Sequence, residues 1–478
     1  MRDVVLVLDL EHEAARMAVR KLRAGRVCCR MIPADTPAEE ILRQEPAGLI
    51  LSSGFDAPLR ALPAWLAELP VPVLALGSAS AALLETLGGT VGALLKDRRR
   101  EEIQYDRCPL LDGLENGERL VNGLFPMVLP EDAAAVATIG EDRFPFAYSI
   151  GDRKRFGIQM ELEPHDPDSE RLLINFACSI CGCTPWWDGE AFIGQAAAEI
   201  RAAAGEHGAL CVMTGGLNSS VAAMLAHRAL GERLTCVFVD TGLLQEGEEL
   251  GFLAFFRDKL GINVRVLRQK ERFLKALCGV EDFQEKRRKI LELMEEIRLE
   301  CLREDSGLHV IVRGSGFSET IMADSSGFGA WERVAPLRDL FDDEIRQVAD
   351  YLGLPAYLVT RQPIPVCGLA LSVDGEVTEE KLALLRRCDA LFSAAMEEGG
   401  YARRLSLYFA VLRPSREGYQ VVLRAVSASE GEQSRAARVP YDVLEGVVEE
   451  IGAVSPQIRR VLYDLTPAKQ YSTGESLY

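Results

Sequence analysis

Short apolar runs alternate with amphipathic, helix-period stretches from the first residues onward. Val4 to Leu8, Gly48 to Leu51 and Pro70 to Leu76 read as buried strands, and their alternation with helical patterns is the signature of a doubly wound α/β domain. The apolar stretch Leu172 to Cys181 then gives way to a turn-rich junction, Thr184 to Gly189, where the first domain closes. After Gly208 a second α/β series begins, with strands expected at Ala209 to Met213, Leu234 to Val239, Val264 to Leu267 and His309 to Val312. The charged stretch Glu281 to Arg303 reads as one amphipathic helix with a solvated face. From Pro363 the pattern shifts to alternating strands such as Val421 to Val426 and a helix from Thr378 to Met396, which suits a third, α+β domain.

Length agrees with that division. A chain of 478 residues exceeds one ordinary core, and roughly 100 to 200 residues per domain gives about three. Hydrophobic residues make up 48% and charged residues 26%, the profile of a globular protein. A formal charge of −18 argues against nucleic-acid and anionic-membrane surfaces, so a small molecule is the expected partner. No apolar run approaches the roughly 20 residues of a membrane span. Met1, Arg2 and Asp3 lead straight into a strand without a signal-peptide pattern, and a cytoplasmic protein is expected. The twelve cysteines are scattered; Cys211 and Cys236 sit in apolar strands, as reduced buried thiols do. Cys178, Cys181 and Cys183 cluster, but no second Cys/His pair at zinc spacing follows, so no metal ligand is assigned there.

The segment Ala209 to Gly231 carries the clearest chemistry. It runs from an apolar strand through Thr214, Gly215 and Gly216 into a helix opened by Leu217, Asn218, Ser219 and Ser220, and Gly231 closes that helix. Two glycines let the backbone approach a ligand, and free amides with the helix dipole make an anion site. The same features occur in tight turns that bind nothing, so the residues alone leave both readings open.

Thr214 to Ser220 (TGGLNSS) resembles the SGGVDSS loop of the ATP pyrophosphatases, and Leu234 to Leu244 (LTCVFVDTGLL) resembles the LTCVFVDxGLL run of GMP synthases. Similar segments follow in order at Pro336 to Phe341, Leu352 to Pro355, Gly368 to Ala370, Gly375 to Lys381, Leu423 to Val426, Pro440 to Asp442 and Arg460 to Asp464. The resemblance implies a class I glutamine amidotransferase-like domain over residues 1–185, an ATP-pyrophosphatase domain of adenine-nucleotide alpha-hydrolase type over 186–362, and a dimerisation-like domain over 363–478. It also implies that Thr214, Gly215, Gly216, Leu217, Asn218, Ser219, Ser220 and Asp240 hold ATP, with magnesium assisting. The carbonyl oxygen of XMP would be adenylylated with release of pyrophosphate, and ammonia would then displace AMP.

Departures from the family pattern fall on its chemistry. Where family members have a cysteine nucleophile in a context like PVLGICYGMQ, Pro72 to Ala81 reads PVLALGSASA and puts Gly77 in its place. Where they have GVQFHPE, Gly157 to Glu163 reads GIQMELE, with Glu161 in place of the histidine and Glu163 retained. Ser78 or Ser80 would need a base and a nucleophile elbow to substitute, and His165 reads as a solvated loop residue, so no catalytic residue is assigned and glutaminase activity is expected to be lost. Asn218 replaces the loop aspartate, a neutral and weaker metal ligand. The lid QGTLYPDVIES appears as Arg313 to Ala323 in altered form, and KSHHNVGG has no counterpart before Trp331. On the substrate side RHPFPGPGLA becomes Arg361 to Ala370, a GVMGD-type loop is missing between Arg416 and Tyr419, and Lys469 stands near the lysine of SKPPxTIEWE; Arg361 and Lys469 remain as candidate substrate contacts.

Three functions stay open on these residues: an ammonia-dependent ligase, a regulator or scaffold keeping nucleotide binding or dimerisation, and a pyrophosphatase turned to another carbonyl substrate. The lost polar groups favour the latter two. A homodimer through the third domain is expected, with the apolar run Leu405 to Leu412 as the surface to be covered.

Overall fold

The computed structural model describes residues 3–59, 61–151, 154–316, 331–359, 367–402, 404–405, 407–427 and 435–466. The chain divides into two compact units, Met1–Ala191 and Phe192–Tyr478.

In the first unit the strands are β1 (Val5–Asp9), β2 (Cys29–Pro33), β3 (Gly48–Ser53), β4 (Val73–Gly77), β5 (Thr90–Val91), β6 (Arg99–Tyr105), β7 (Gly117–Val121), β8 (Met127–Val128), β9 (Ala133–Ile139), β10 (Phe144–Ile150) and β11 (Arg155–Ile158). Nine of them form one sheet in the order β2-β1-β3-β4-β11-β10-β9-β6-β7, while β5 pairs with β8. From β2 to β11 the pairing is parallel, and beyond β11 it is antiparallel. The three expected strands are present, and the sheet goes on into an antiparallel half that the apolar runs did not announce. Alternate residues of neighbouring strands, Leu6 and Leu8, Leu49 and Leu51, Val73 and Ala75, pack with Leu83 of the helix Ser78–Thr86 as a continuous core layer. Arg155, fully buried, donates to the carbonyls of Leu66, Val71 and Ala67 at 3.1, 2.8 and 3.4 Å and so fixes the segment that leads into β4.

The second unit carries β12 (Gly208–Met213), β13 (Leu234–Asp240), β14 (Val264–Arg268), β15 (Leu308–Val312) and β16 (Glu332–Val334) in the order β14-β13-β12-β15-β16, all parallel. The chain builds outward from β12 to β14 and then returns to the other side of β12 with β15. That reversal makes a topological switch point between β12 and β15, where open α/β sheets bind ligands at the carboxyl ends of their strands. The helix Phe283–Glu304 coincides with the charged stretch. A second sheet has β17 (Leu407–Ser415) and β18 (Gly418–Ser427) antiparallel, with β19 (Arg435–Ala436) and β20 (Ile458–Tyr463) along the other edge of β18. One hydrophobic core runs from Leu210 and Val237 through Ile290 and Phe392 to Leu412 and Ile451, so both sheets share it.

Within the apolar run Leu405 to Leu412, the strand residues Leu407 to Leu412 are not an uncovered surface. Tyr408, Ala410 and Leu412 point into the shared core, and Leu407, Phe409 and Val411 gather with Val422 and Val426 on the opposite face; all six are at most 5% exposed. A strand covered on both faces is apolar at every position, and sequence cannot separate that from an exposed patch. Exposed apolar residues of this part of the chain lie elsewhere, at Tyr441, Val448, Leu462 and Leu465.

Candidate functional site

Two strand-to-helix corners carry the residues singled out by sequence. In the first unit β4 ends at Gly77, whose φ of 59° and ψ of −131° make a sharp turn into the helix Ser78–Thr86. That is the backbone of a nucleophile elbow without a side chain on it. A Cβ at Gly77 would run into the carbonyl oxygen of Ser53 on β3, so the neighbouring strand has closed over the position. Both serines that follow are engaged in bonds of their own. Ser78 Oγ donates to Ser53 Oγ at 3.0 Å, Ser80 Oγ donates to the Gly77 carbonyl at 2.6 Å, and both are buried.

Glu161 and Glu11 fill the space beside the elbow. The Phe55 amide donates to Glu161 Oε1 at 2.6 Å and Asn122 Nδ2 to Glu161 Oε2 at 2.8 Å, while the Gly54 amide donates to Glu11 Oε2 at 2.5 Å. These two successive backbone donors follow β3, next to the elbow. They could hold an oxyanion, and the chain's own carboxylates occupy them. Glu163 and His165 are exposed and take no part. Glu11 and Asn122 escaped the sequence reading: parallel pairing of β1 with β3 sets Asp9 opposite Ser52 and so brings Glu11 to Gly54, a neighbourhood no local spacing encodes.

In the second unit Thr214 to Ser220 form the corner after β12, at the switch point. Gly215 has φ 78°, a conformation that favours glycine. Gly216 has ordinary extended angles, and among the described residues a Cβ added there meets only Thr214 Oγ1, at 3.8 Å. The helix Leu217–Leu230 has no side-chain cap; Ser219 and Ser220 donate their hydroxyls to the Gly216 carbonyl at 2.9 Å each, and the first-turn amides point out of the helix start. Across the switch point Gly314 presses on this turn, since a Cβ there would lie 2.6 Å from Ser219 N. Amides at a helix N-terminus beside a glycine turn can receive phosphate oxygens such as those of ATP.

Magnesium is a different matter. Asp240, the acid of the expected set, accepts from the Gly242 amide and from Arg268 Nη1, each at 3.0 Å, and Arg268 also bonds Glu249. Asn218 is neutral, and among the described residues no group of three or more His, Cys, Asp or Glu side chains is placed to hold a metal ion. This donor set does not fit a hard divalent cation, which takes several oxygen ligands with carboxylates among them. The cluster Cys178, Cys181 and Cys183 consists of free thiols, and burial pushes the Cys183 thiol up to about 12. Arg361, Lys469 and most of the altered lid lie outside the described residues. Among the described residues no helix is long and apolar enough to cross a membrane.

No family model matches the chain. Single relatives match it almost end to end. It is 34% identical to the GMP synthase [glutamine-hydrolyzing] of Caldicellulosiruptor saccharolyticus, over 97% of this chain and 98% of the relative. The enzyme of the same name from Thermomicrobium roseum is also 34% identical, over 97% and 95%. That of Caldanaerobacter subterraneus is 32% identical, over 97% of both chains.

Proposed function

The chain belongs to the GMP synthase family, and we propose that within it this protein binds ATP at Thr214 to Ser220 but does not hydrolyse glutamine. Amination of XMP to GMP through an adenylyl intermediate then draws on free ammonia. The observation that carries the loss of glutaminase is the side-chain-free elbow at Gly77 beside amides already bonded to Glu11 and Glu161. A thioester needs a nucleophile, and an oxyanion needs unoccupied donors. When bound, ATP supplies the adenylyl group; this chain's part is to receive its phosphates on the first-turn amides of the helix Leu217–Leu230 and to hold them at the switch point.

A second reading, nucleotide binding without turnover, is favoured by one observation: Asp240 is committed to Arg268 and Asn218 carries no charge. Purified protein given ATP, XMP, ammonium and magnesium separates the two. AMP, pyrophosphate and GMP detected by mass spectrometry establish the ligase; ATP bound without these products establishes the binding protein. Glutamate released from glutamine above the buffer rate overturns the proposal itself.

The same reading divides the chain into an amidotransferase-like part (1–185), an ATP-pyrophosphatase part (186–362) and a dimerisation part (363–478), working in the cytoplasm. A homodimer would cover the exposed Tyr441, Val448, Leu462 and Leu465 beside the edge strand β20 with the same patch of a second copy. Light scattering decides: a mass near 52.6 kDa is a monomer and rejects the dimer.

A further inference from the structure

The loop offers amides to a triphosphate, and among the described residues no group of carboxylates is placed to hold a metal that would balance its charge. In a chain of net charge −18, positive charge is nonetheless gathered on the far side of the switch point. Arg313 directly follows β15, and its Nη2 lies 3.0 Å from Glu295 Oε1. Arg298, on the same helix as Glu295, bonds the same oxygen. Arg333 of β16 stands in register with Ile311 of β15, two residues before Arg313, so its side chain leaves the sheet on the same face. Burial first, and then the charge of Arg313, lowers the pKa of Arg333; burial is also the largest cause lowering that of Arg298, where Glu295 opposes it and Arg313 adds to it. Two guanidinium groups sharing one carboxylate oxygen keep a positive surplus, and partial burial strengthens its pull on an anion. Gly314, the next residue after Arg313, is the one that presses on Asn218 and Ser219 of the phosphate loop.

We propose that Arg313, oriented by Glu295 and backed by Arg298 and Arg333, is the cationic partner of the nucleotide's phosphates where a divalent cation would otherwise stand, so that this protein binds ATP without magnesium. The proposal rests on the reading of Thr214 to Ser220 as the phosphate site. A guanidinium presents a planar fork of donors that matches two phosphate oxygens, and its charge does not depend on a carboxylate-built metal site. Glu295 keeps that fork in one orientation instead of leaving it to sample solvent.

Calorimetry of ATP binding to the full chain, once in EDTA and once in excess magnesium, tests this. The wild type is expected to bind in EDTA within about threefold of its magnesium affinity, and Arg313→Gln to bind about tenfold more weakly in EDTA. Arg313→Lys, which keeps the charge and loses the fork, should fall between them. Wild-type binding that requires magnesium overturns the proposal, a result that needs no variant to fold. So does Arg313→Gln, folded by circular dichroism, binding ATP in EDTA as tightly as the wild type. If Gly216→Val abolishes binding while Arg313→Gln leaves it unchanged, the loop reading stands and the arginine falls. Absence of ATP binding in the wild type under both conditions rejects the two together.

Discussion

At Gly54 and Phe55 in the first unit, and at the start of the helix Leu217–Leu230 in the second, backbone N–H groups lie at the carboxyl end of a parallel strand, and the two places differ in what meets them. The first pair is bonded to Glu11 and Glu161 of the same chain. In the second, hydroxyls satisfy the Gly216 carbonyl, the Thr214 amide donates to Ser219 Oγ at 3.4 Å, and the first-turn amides of the helix point out of its start. A tethered carboxylate acts at an effective concentration that a free ligand rarely reaches, so a single internal acid silences an anion site. The comparison teaches that two places with the same backbone chemistry differ in the side chains given to them: carboxylates of the same chain at Gly54 and Phe55, glycine and serine hydroxyls at the helix start.

The strongest attack on this contrast is to put the thiol back. Gly77→Cys should give no glutamate release and should destabilise the protein by about 2 to 5 kcal/mol, since the positive φ and the approach of Ser53 both act against a side chain. Glutaminase assay with thermal unfolding checks it, and a stable, active variant would show that the elbow is open.

A buried acid in the second unit sharpens the contrast by showing what burial of a carboxylate costs even where a backbone amide bonds it. Asp389 accepts from the Ala410 amide at 2.9 Å and from Gln245 Nε2 at 2.7 Å, and burial raises its pKa to about 6 against an ordinary 3.8, the two hydrogen bonds opposing the rise. Because the folded-state value lies above the unfolded one, the folded state holds the proton more tightly, and this group's contribution falls as pH rises from about 4 to 6 and is constant above. The loss amounts to about 2 to 3 kcal/mol. Asp389→Asn should flatten that part of the stability curve in urea titrations; an unchanged slope would mean that the carboxyl is not the cause.

A smaller effect is expected at Glu161. Glu161→Gln leaves one acceptor oxygen where two are in use, so Phe55 keeps at most a neutral bond and Asn122 must turn its amide over or lose its partner, and stability should fall by about 1 to 2 kcal/mol. A gain in stability would mean that the acid is strained in the cradle. Least disturbing to the fold is Gly216→Val, at about 1 kcal/mol or less, because the angles suit any residue and, among the described residues, nothing lies closer to the added Cβ than Thr214 Oγ1 at 3.8 Å. Its ATP affinity should nonetheless fall at least about tenfold by calorimetry. Unchanged affinity would remove this loop as the site.

Much of this protein was legible along the chain. The strands around Thr214 to Ser220, the glycine turn itself and the residues that stand at positions 77 and 161 are local patterns, fixed by alternation, glycine and short motifs that a folded structure need only preserve. Tertiary structure alone decided the rest. Glu11 meets Gly54 through the register of β1 on β3, and Arg313, Arg298 and Arg333 come together because β16 pairs with β15 and the helix Phe283–Glu304 packs beside them. Leu407 to Leu412 turned out to be covered on both faces for a similar reason, the cover being supplied partly by residues as distant in sequence as Leu210. Charge, burial and the filling of an amide site depend on which distant segments become neighbours, and pairing register, a long-range property, is what sets that.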